Sequence, residues 1–260
     1  MAGNLMLIHG MWGGAFVWEH YRPFFERRGW TVITPTLRHH DVPADAPPPD
    51  PLGDTSLRDY AADLEIEIRK LASPPVLMGH SMGGLLAQIL AARGLARAAV
   101  LLTPAAPSGM IALTPSVVRT FLRILSKPGF WKRPQRLNFS EAAYGCLNLM
   151  TPEKQKAEHA RFRFESGRAA FEIGFWYLDA RHAARVDATQ VKCPVLIVGG
   201  AQDRVTPASV VRKIARRYAR TMTYKEFPDH SHWVIAEDGW EDVAGFAADW
   251  LDRTLGPSPN

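Results

Sequence analysis

Cysteine is scarce: Cys146 and Cys193 are the only two among 260 residues. A chain of this length with 47% hydrophobic residues can bury a core without a disulfide framework. Both thiols therefore read as reduced and structural. Long apolar runs are also missing. No stretch approaches the roughly 18 apolar residues of a membrane span, and the start MAGNLMLIHG has neither the basic opening nor the small-residue cleavage site of a secretory signal. These two lacks predict no membrane span and a cytoplasmic location. Continuous cationic runs are absent as well. The formal net charge is +5, but basic residues alternate with acidic ones along the chain, which fits a solvated surface and excludes nucleic acid as an expected partner.

What the sequence does contain is an alternation of short β-rich apolar runs with longer helical stretches, the pattern of parallel strands joined by crossover helices. Strands are expected at 5–8, 31–34, 76–78, 99–102, 195–198 and 222–227, and helices at 16–28, 57–71, 82–93, 208–218 and 240–251. Ser56 is placed as an N-cap for the second helix and Gly29 as the glycine that closes the first. Between residues 41 and 53, Pro43, Pro47, Pro48, Pro49 and Pro51 predict an extended surface loop. From 110 to 185 the alternation stops and gives way to helical, aromatic-rich sequence. The expected architecture is α/β: a mostly parallel sheet of about six strands flanked by helices, formed by 1–109 and 186–260, with 110–185 inserted as a helical cap.

One motif carries chemistry on its own. Gly79-His80-Ser81-Met82-Gly83 lies between the run 76–78 and a helix opening at Met82, which places Ser81 on a sharp strand-to-helix turn with its hydroxyl at a helix N-terminus. A serine hydroxyl needs a base to take its proton, and the base needs an anion to fix its tautomer. Asp203 follows the run 195–198 in the loop GGAQDRVTP, at the carboxyl end of a strand, and is the candidate acid. After the last strand comes Pro228-Asp229-His230-Ser231-His232-Trp233, which offers two histidines as base. The first strand runs into His9-Gly10-Met11-Trp12-Gly13-Gly14. That loop suits an oxyanion hole built from the backbone N–H groups of Met11 and Met82, with His9 bracing the loop.

Together these features resemble the α/β-hydrolase superfamily, in its compact esterase-like form, over nearly the whole chain. The resemblance implies that His232 is the base, since Ser231-His232-Trp233 stands where such chains carry Gly-His-Trp. His230 is then a surface loop residue. It implies the order Ser81, Asp203, His232 for a catalytic triad, a pocket between the cap and Ser81, and no metal or organic cofactor. The expected reaction is hydrolysis of a small, partly apolar or aromatic carboxylic ester. Lactones, thioesters and carbon–carbon bonds remain open to the same triad, and so does a ligand-binding, receptor-like role. Ser81 disfavours the dehalogenase and epoxide hydrolase branches, which carry an acidic nucleophile; Gly10 and Trp233 disfavour hydroxynitrile lyases. Glu165 and Arg168, in RFRFESGR, are read as an ion pair within the cap, and oligomeric state, a homodimer included, is left open.

Overall fold

The computed structural model describes residues 3–218 and 222–256. Residues 1–2 and 257–260, the ends of the expected core, lie outside them. The first half runs β1 (Asn4–Ile8), α1 (Tyr21–Glu26), β2 (Thr31–Ile33), α2 (Leu57–Arg69), β3 (Val76–His80), α3 (Met82–Ala92) and β4 (Ala98–Leu102). The inserted stretch holds α4 (Pro115–Leu125), β5 (Pro134–Gln135), α5 (Phe139–Gly145), α6 (Pro152–Arg161), β6 (Glu165–Ser166) and α7 (Gly167–Gly174). The chain then returns through β7 (Val195–Gly200), α8 (Ala208–Arg217), β8 (Met222–Phe227) and α9 (Trp240–Leu255).

Six strands form one parallel sheet in the order β2-β1-β3-β4-β7-β8. Its central strands are buried on both faces, which is why they read as unbroken apolar runs instead of alternating ones. Leu5, Leu7, Val100, Leu102, Leu196 and Val198 pack into the core on one face. Their neighbours Met6, Ile8, Ala99, Leu101, Val195 and Ile197 pack into the core on the other, as the two-residue period of a strand requires. Among the described residues no helix is long and apolar enough to cross a membrane.

The local signals held at α2, where Ser56 and Asp59 form a capping box, and at Gly29, which adopts φ +82°. They did not hold at 16–28. Instead of one helix there is a short 3₁₀ turn, Ala15–Trp18, followed by α1. Pro23 accounts for the break: its ring would clash with the Glu19 carbonyl and it has no N–H to donate, so a continuous helix cannot run through residues 19–23. The proline loop is irregular as expected until the 3₁₀ turn Asp50–Asp54.

The inserted stretch is fastened to the rest through buried polar groups. Glu172 of α7 accepts from Ser56 Oγ (2.8 Å) and the Leu57 N–H (2.8 Å) at the start of α2. Glu165 accepts from Tyr60 Oη (2.7 Å) and faces His40 Nε2 (3.1 Å). The expected Glu165–Arg168 pair therefore does not form. Arg168 turns instead to Glu172 (2.8 Å) and Asp179 (3.2 Å), because the α-helical spacing of four residues brings 168 and 172 onto one face while Glu165 lies in β6, beyond the helix start.

Candidate active site

Ser81 occupies a backbone conformation that its sequence neighbours make possible. It sits at φ +54°, ψ −119°, between the last residue of β3 and the first of α3, where a non-glycine residue is held only at a cost of about 1–3 kcal/mol. Two glycines create the room. A Cβ on Gly79 would come within 2.1 Å of the Gly83 carbonyl oxygen, and one on Gly83 within 2.1 Å of the Ile8 oxygen. The turn is pinned by the Ser81 N–H to Leu102 O (3.0 Å) and by the Ser81 carbonyl, which accepts from Gly84 (2.9 Å) and Ala105 (2.9 Å).

Asp203 and His232 arrive from the ends of β7 and β8. Their two loops pack together closely, with Gln202 N–H bonded to His230 O (2.9 Å). His232 Nδ1 lies 2.8 Å from Asp203 Oδ2 and its Nε2 lies 3.0 Å from Ser81 Oγ. The carboxylate at one nitrogen makes Nδ1 the protonated one, so Nε2 is left to accept from the serine hydroxyl. On its far side Asp203 Oδ1 accepts the N–H groups of Val205 (2.7 Å) and Thr206 (2.8 Å). Burial opposes charge on Asp203, but the adjacent imidazole and the Thr206 hydroxyl and amide outweigh it and hold the carboxyl below its ordinary range.

Ser81 opens onto a cavity lined by Met11, Met82, Phe121, Ile173, Phe175 and other apolar side chains, with Thr206 as the further polar residue. No charged side chain lines it among the described residues. Helix α4 contributes Val117, Phe121, Ile124 and Leu125, spaced to make one stripe of the helix. Of the aromatics in the stretch 110–185, Phe121 and Phe175 face the cavity, whereas Phe130, Trp131 and Phe171 pack against one another. Met82 is the first residue of α3, so its N–H has no intrahelical acceptor, and Met11 lines the same cavity from the β1 loop.

Four further residues around the site carried no signal. Thr206 Oγ1 lies 2.7 Å from Asp203 Oδ2. His80 Nε2 and Thr103 Oγ1 both donate to the His232 carbonyl, at 2.8 and 3.2 Å. Glu237 holds the amide and hydroxyl of Ser231. His230 is not at the surface as expected: it is 6% exposed, packs on Phe227 and donates from Nε2 to Gly239 O (3.0 Å), since the turn into α9 folds over it. His9 does brace its loop, accepting from the Leu37 N–H at Nε2 (3.0 Å) and donating to Gly10 O at Nδ1 (2.8 Å).

The buried histidines give the fold a defined pH window. Burial, joined by nearby His40, pushes His9 down to about 3, and burial with the neighbouring His232 pushes His80 down to about 3. Both stay neutral in the native state but take up protons near 6.5 when unfolded, so the stability they contribute is complete above 6.5 and is lost as pH falls from there toward 3. Two such protons give a slope of at most about 2.7 kcal/mol per pH unit. His40 works in the opposite sense. Burial alone would lower it, but Glu165 and the Arg38 carbonyl raise it, so its contribution is present below 6.5 and disappears as pH rises through its native value. Urea midpoints between pH 4 and 9 should therefore trace a maximum near neutrality, steeper on the acid side. Midpoints that rise on acidification below 6.5 would contradict this assignment.

The sequence profile of the alpha/beta hydrolase family matches residues 5–246. Similar solved structures include a methylesterase from Arabidopsis, 11% identical, with 97% of this chain and 100% of that one covered and a TM-score of 0.71. A pyrethroid hydrolase from Sphingobium faniae JZ-2 is 19% identical over 98% and 99% of the two chains, with a TM-score of 0.73. A monoacylglycerol lipase from Paleococcus ferrophilus is 23% identical over 97% and 95%, with a TM-score of 0.69. At these identities the likeness concerns the fold. No curated protein matches the chain at a significant level.

Proposed function

Because this chain belongs to the alpha/beta hydrolase family, we propose that it is a serine esterase that cleaves an uncharged, largely apolar carboxylic ester through an acyl-enzyme on Ser81. The observation that carries this reading is His232, bonded to Asp203 at one nitrogen (2.8 Å) and to Ser81 at the other (3.0 Å), with Ser81 opening into an apolar cavity.

His232 Nε2 takes the Ser81 proton as Oγ bonds to the ester carbonyl carbon, and the carbonyl π electrons move to oxygen. The N–H groups of Met11 and Met82 hold that oxyanion. The intermediate collapses by breaking the bond to the alcohol oxygen, which takes the proton from His232. A water then repeats the sequence, giving its proton to His232 and its oxygen to the acyl carbon, and the acid leaves as Ser81 is restored. Every proton moves among Ser81, His232, the leaving alcohol and water, so the scheme uses no cofactor. In this reading 110–185 acts as the cap and 1–109 with 186–260 as the catalytic core.

The cavity lining supports the choice of substrate. Placing a carboxylate against Val117, Phe121, Ile173 and Phe175 strips its water with no cation to compensate, so neutral acyl or aryl groups are favoured over anionic ones. Two measurements test the proposal. A fluorophosphonate probe should modify Ser81, identified by peptide mapping. A butyrate ester of p-nitrophenol should be turned over at least about tenfold faster than the half-ester of succinate with the same leaving group. Label on another residue would remove the mechanism, and a preference for the succinate half-ester would remove the substrate class.

A further inference from the structure

The imidazole of His232 is fixed through its ring by Asp203, but a ring can be no better placed than the backbone it hangs from. That backbone belongs to a loop after β8, and its carbonyl oxygen receives two buried donors from other strands. His80 Nε2, at the end of β3, lies 2.8 Å away, and Thr103 Oγ1, just past β4, lies 3.2 Å away. Both side chains are buried, His80 at 2% exposure and Thr103 at 0%. The two donors occupy both lone pairs of one carbonyl.

Thr103 shows that this contact is held against resistance. It sits at φ +41°, a region that a β-branched residue enters only when its surroundings force it there. Three hydrogen bonds do so: its N–H to Val198 O (2.8 Å), its hydroxyl to His232 O, and its carbonyl from Thr206 Oγ1 (3.0 Å). His80 is equally determined. A carbonyl only accepts, so Nε2 must carry the proton, and the low affinity of the buried ring for a second proton keeps it a neutral donor.

We propose that His80 and Thr103 are positioning residues for the base: together they clamp the His232 carbonyl and so hold its Nε2 within reach of Ser81 Oγ. This rests on the reading of His232 as the general base. Neither residue lines the cavity, so the clamp acts on the chemical step and not on substrate binding.

Isosteric substitution provides the test. The amide nitrogen of glutamine reproduces the position of histidine Nε2, whereas that of asparagine reproduces Nδ1. His80→Gln should stay within about threefold of the parent in kcat, while His80→Asn, which cannot reach the carbonyl, should lose about ten- to hundredfold with KM within twofold, the loss expected of a misplacement near 1 Å. Thr103→Val keeps the shape and strain but lacks the donor, and should fall in kcat as His80→Asn does. Thr103→Ser keeps the donor and should recover most of the activity. Urea midpoints accompany each variant, and if His80→Asn does not fold, the Val/Ser pair at 103 decides. Equal losses in His80→Gln and His80→Asn would overturn the clamp in favour of packing of the His80 ring against Trp233, whose centroid lies 5.4 Å away, and parent-level kcat in Thr103→Val would overturn it as well. Ser81→Ala with undiminished turnover would mean instead that the esterase reading itself is wrong, whatever the clamp variants do.

Discussion

Ser81→Ala is expected to lower kcat for p-nitrophenyl butyrate by about 10⁴- to 10⁶-fold without changing the urea midpoint by more than a small margin. Loss of the Oγ atom removes the hydroxyl that faces His232 Nε2, the one proposed to form the acyl bond. What remains, the Met11 and Met82 amides and an apolar wall, gives the residual rate typical of a site stripped of its nucleophile. The fold should be indifferent to the change. Ser81 Oγ bonds to His232, and everything else that pins the turn is backbone: the Ser81 N–H to Leu102 and its carbonyl to Gly84 and Ala105. Alanine carries the same Cβ at the same strained φ, so it neither relieves nor adds to the cost already present. Turnover in the variant equal to the parent's would end the covalent mechanism. A collapse in urea midpoint would show that the elbow depends on its hydroxyl.

That result depends on a site whose parts were legible to different degrees. The sheet could be read because its central strands are buried on both faces, leaving apolar runs such as Val195 to Val198 that stand out from helical sequence. Ser81 could be read because the turn demands glycine at 79 and 83 for reasons of contact at 2.1 Å, and such demands are written directly into residue type. Asp203 was visible as an acid at a strand's carboxyl end. His232 was distinguished from His230 by resemblance, since two histidines two positions apart are chemically alike until their loop is folded.

The residues that escaped notice do their work across large separations. His80 and Thr103 meet the His232 carbonyl from 152 and 129 positions away, and a side chain bonding to a distant backbone atom leaves no periodic or motif signal. The same holds for Glu165, whose partners His40 and Tyr60 lie more than a hundred residues back, so a nearby arginine looked like its natural mate. The pair β5–β6 is two residues long on each side, too short for any alternation to register. The split of 16–28 was different in kind. Pro23 was there to be read, and its clash with the preceding turn outweighed the apolar periodicity around it.

Asp203→Asn is expected to cost about 10⁴-fold in kcat, with substrate affinity little altered, through the tautomer of His232 and not through loss of charge alone. The surroundings of the carboxyl decide which way an amide would sit. Oδ1 accepts the N–H groups of Val205 and Thr206, so the asparagine oxygen must take that side, because its NH₂ there would face two donors. The NH₂ is then directed at His232 Nδ1 and donates to it. An imidazole that accepts at Nδ1 carries its proton on Nε2 and presents a donor to Ser81 Oγ where an acceptor is needed. Thr206 Oγ1, 2.7 Å from Oδ2 in the parent, retains Thr103 O at 3.0 Å as an acceptor, so the loop keeps its bonds and the variant should fold. Raising the pH should recover activity in Asp203→Asn, as hydroxide in solution replaces the misprotonated base, while the parent shows no comparable gain in alkaline solution. A parallel pH dependence in the two proteins, or a loss under tenfold, would show that Asp203 only supports the loop.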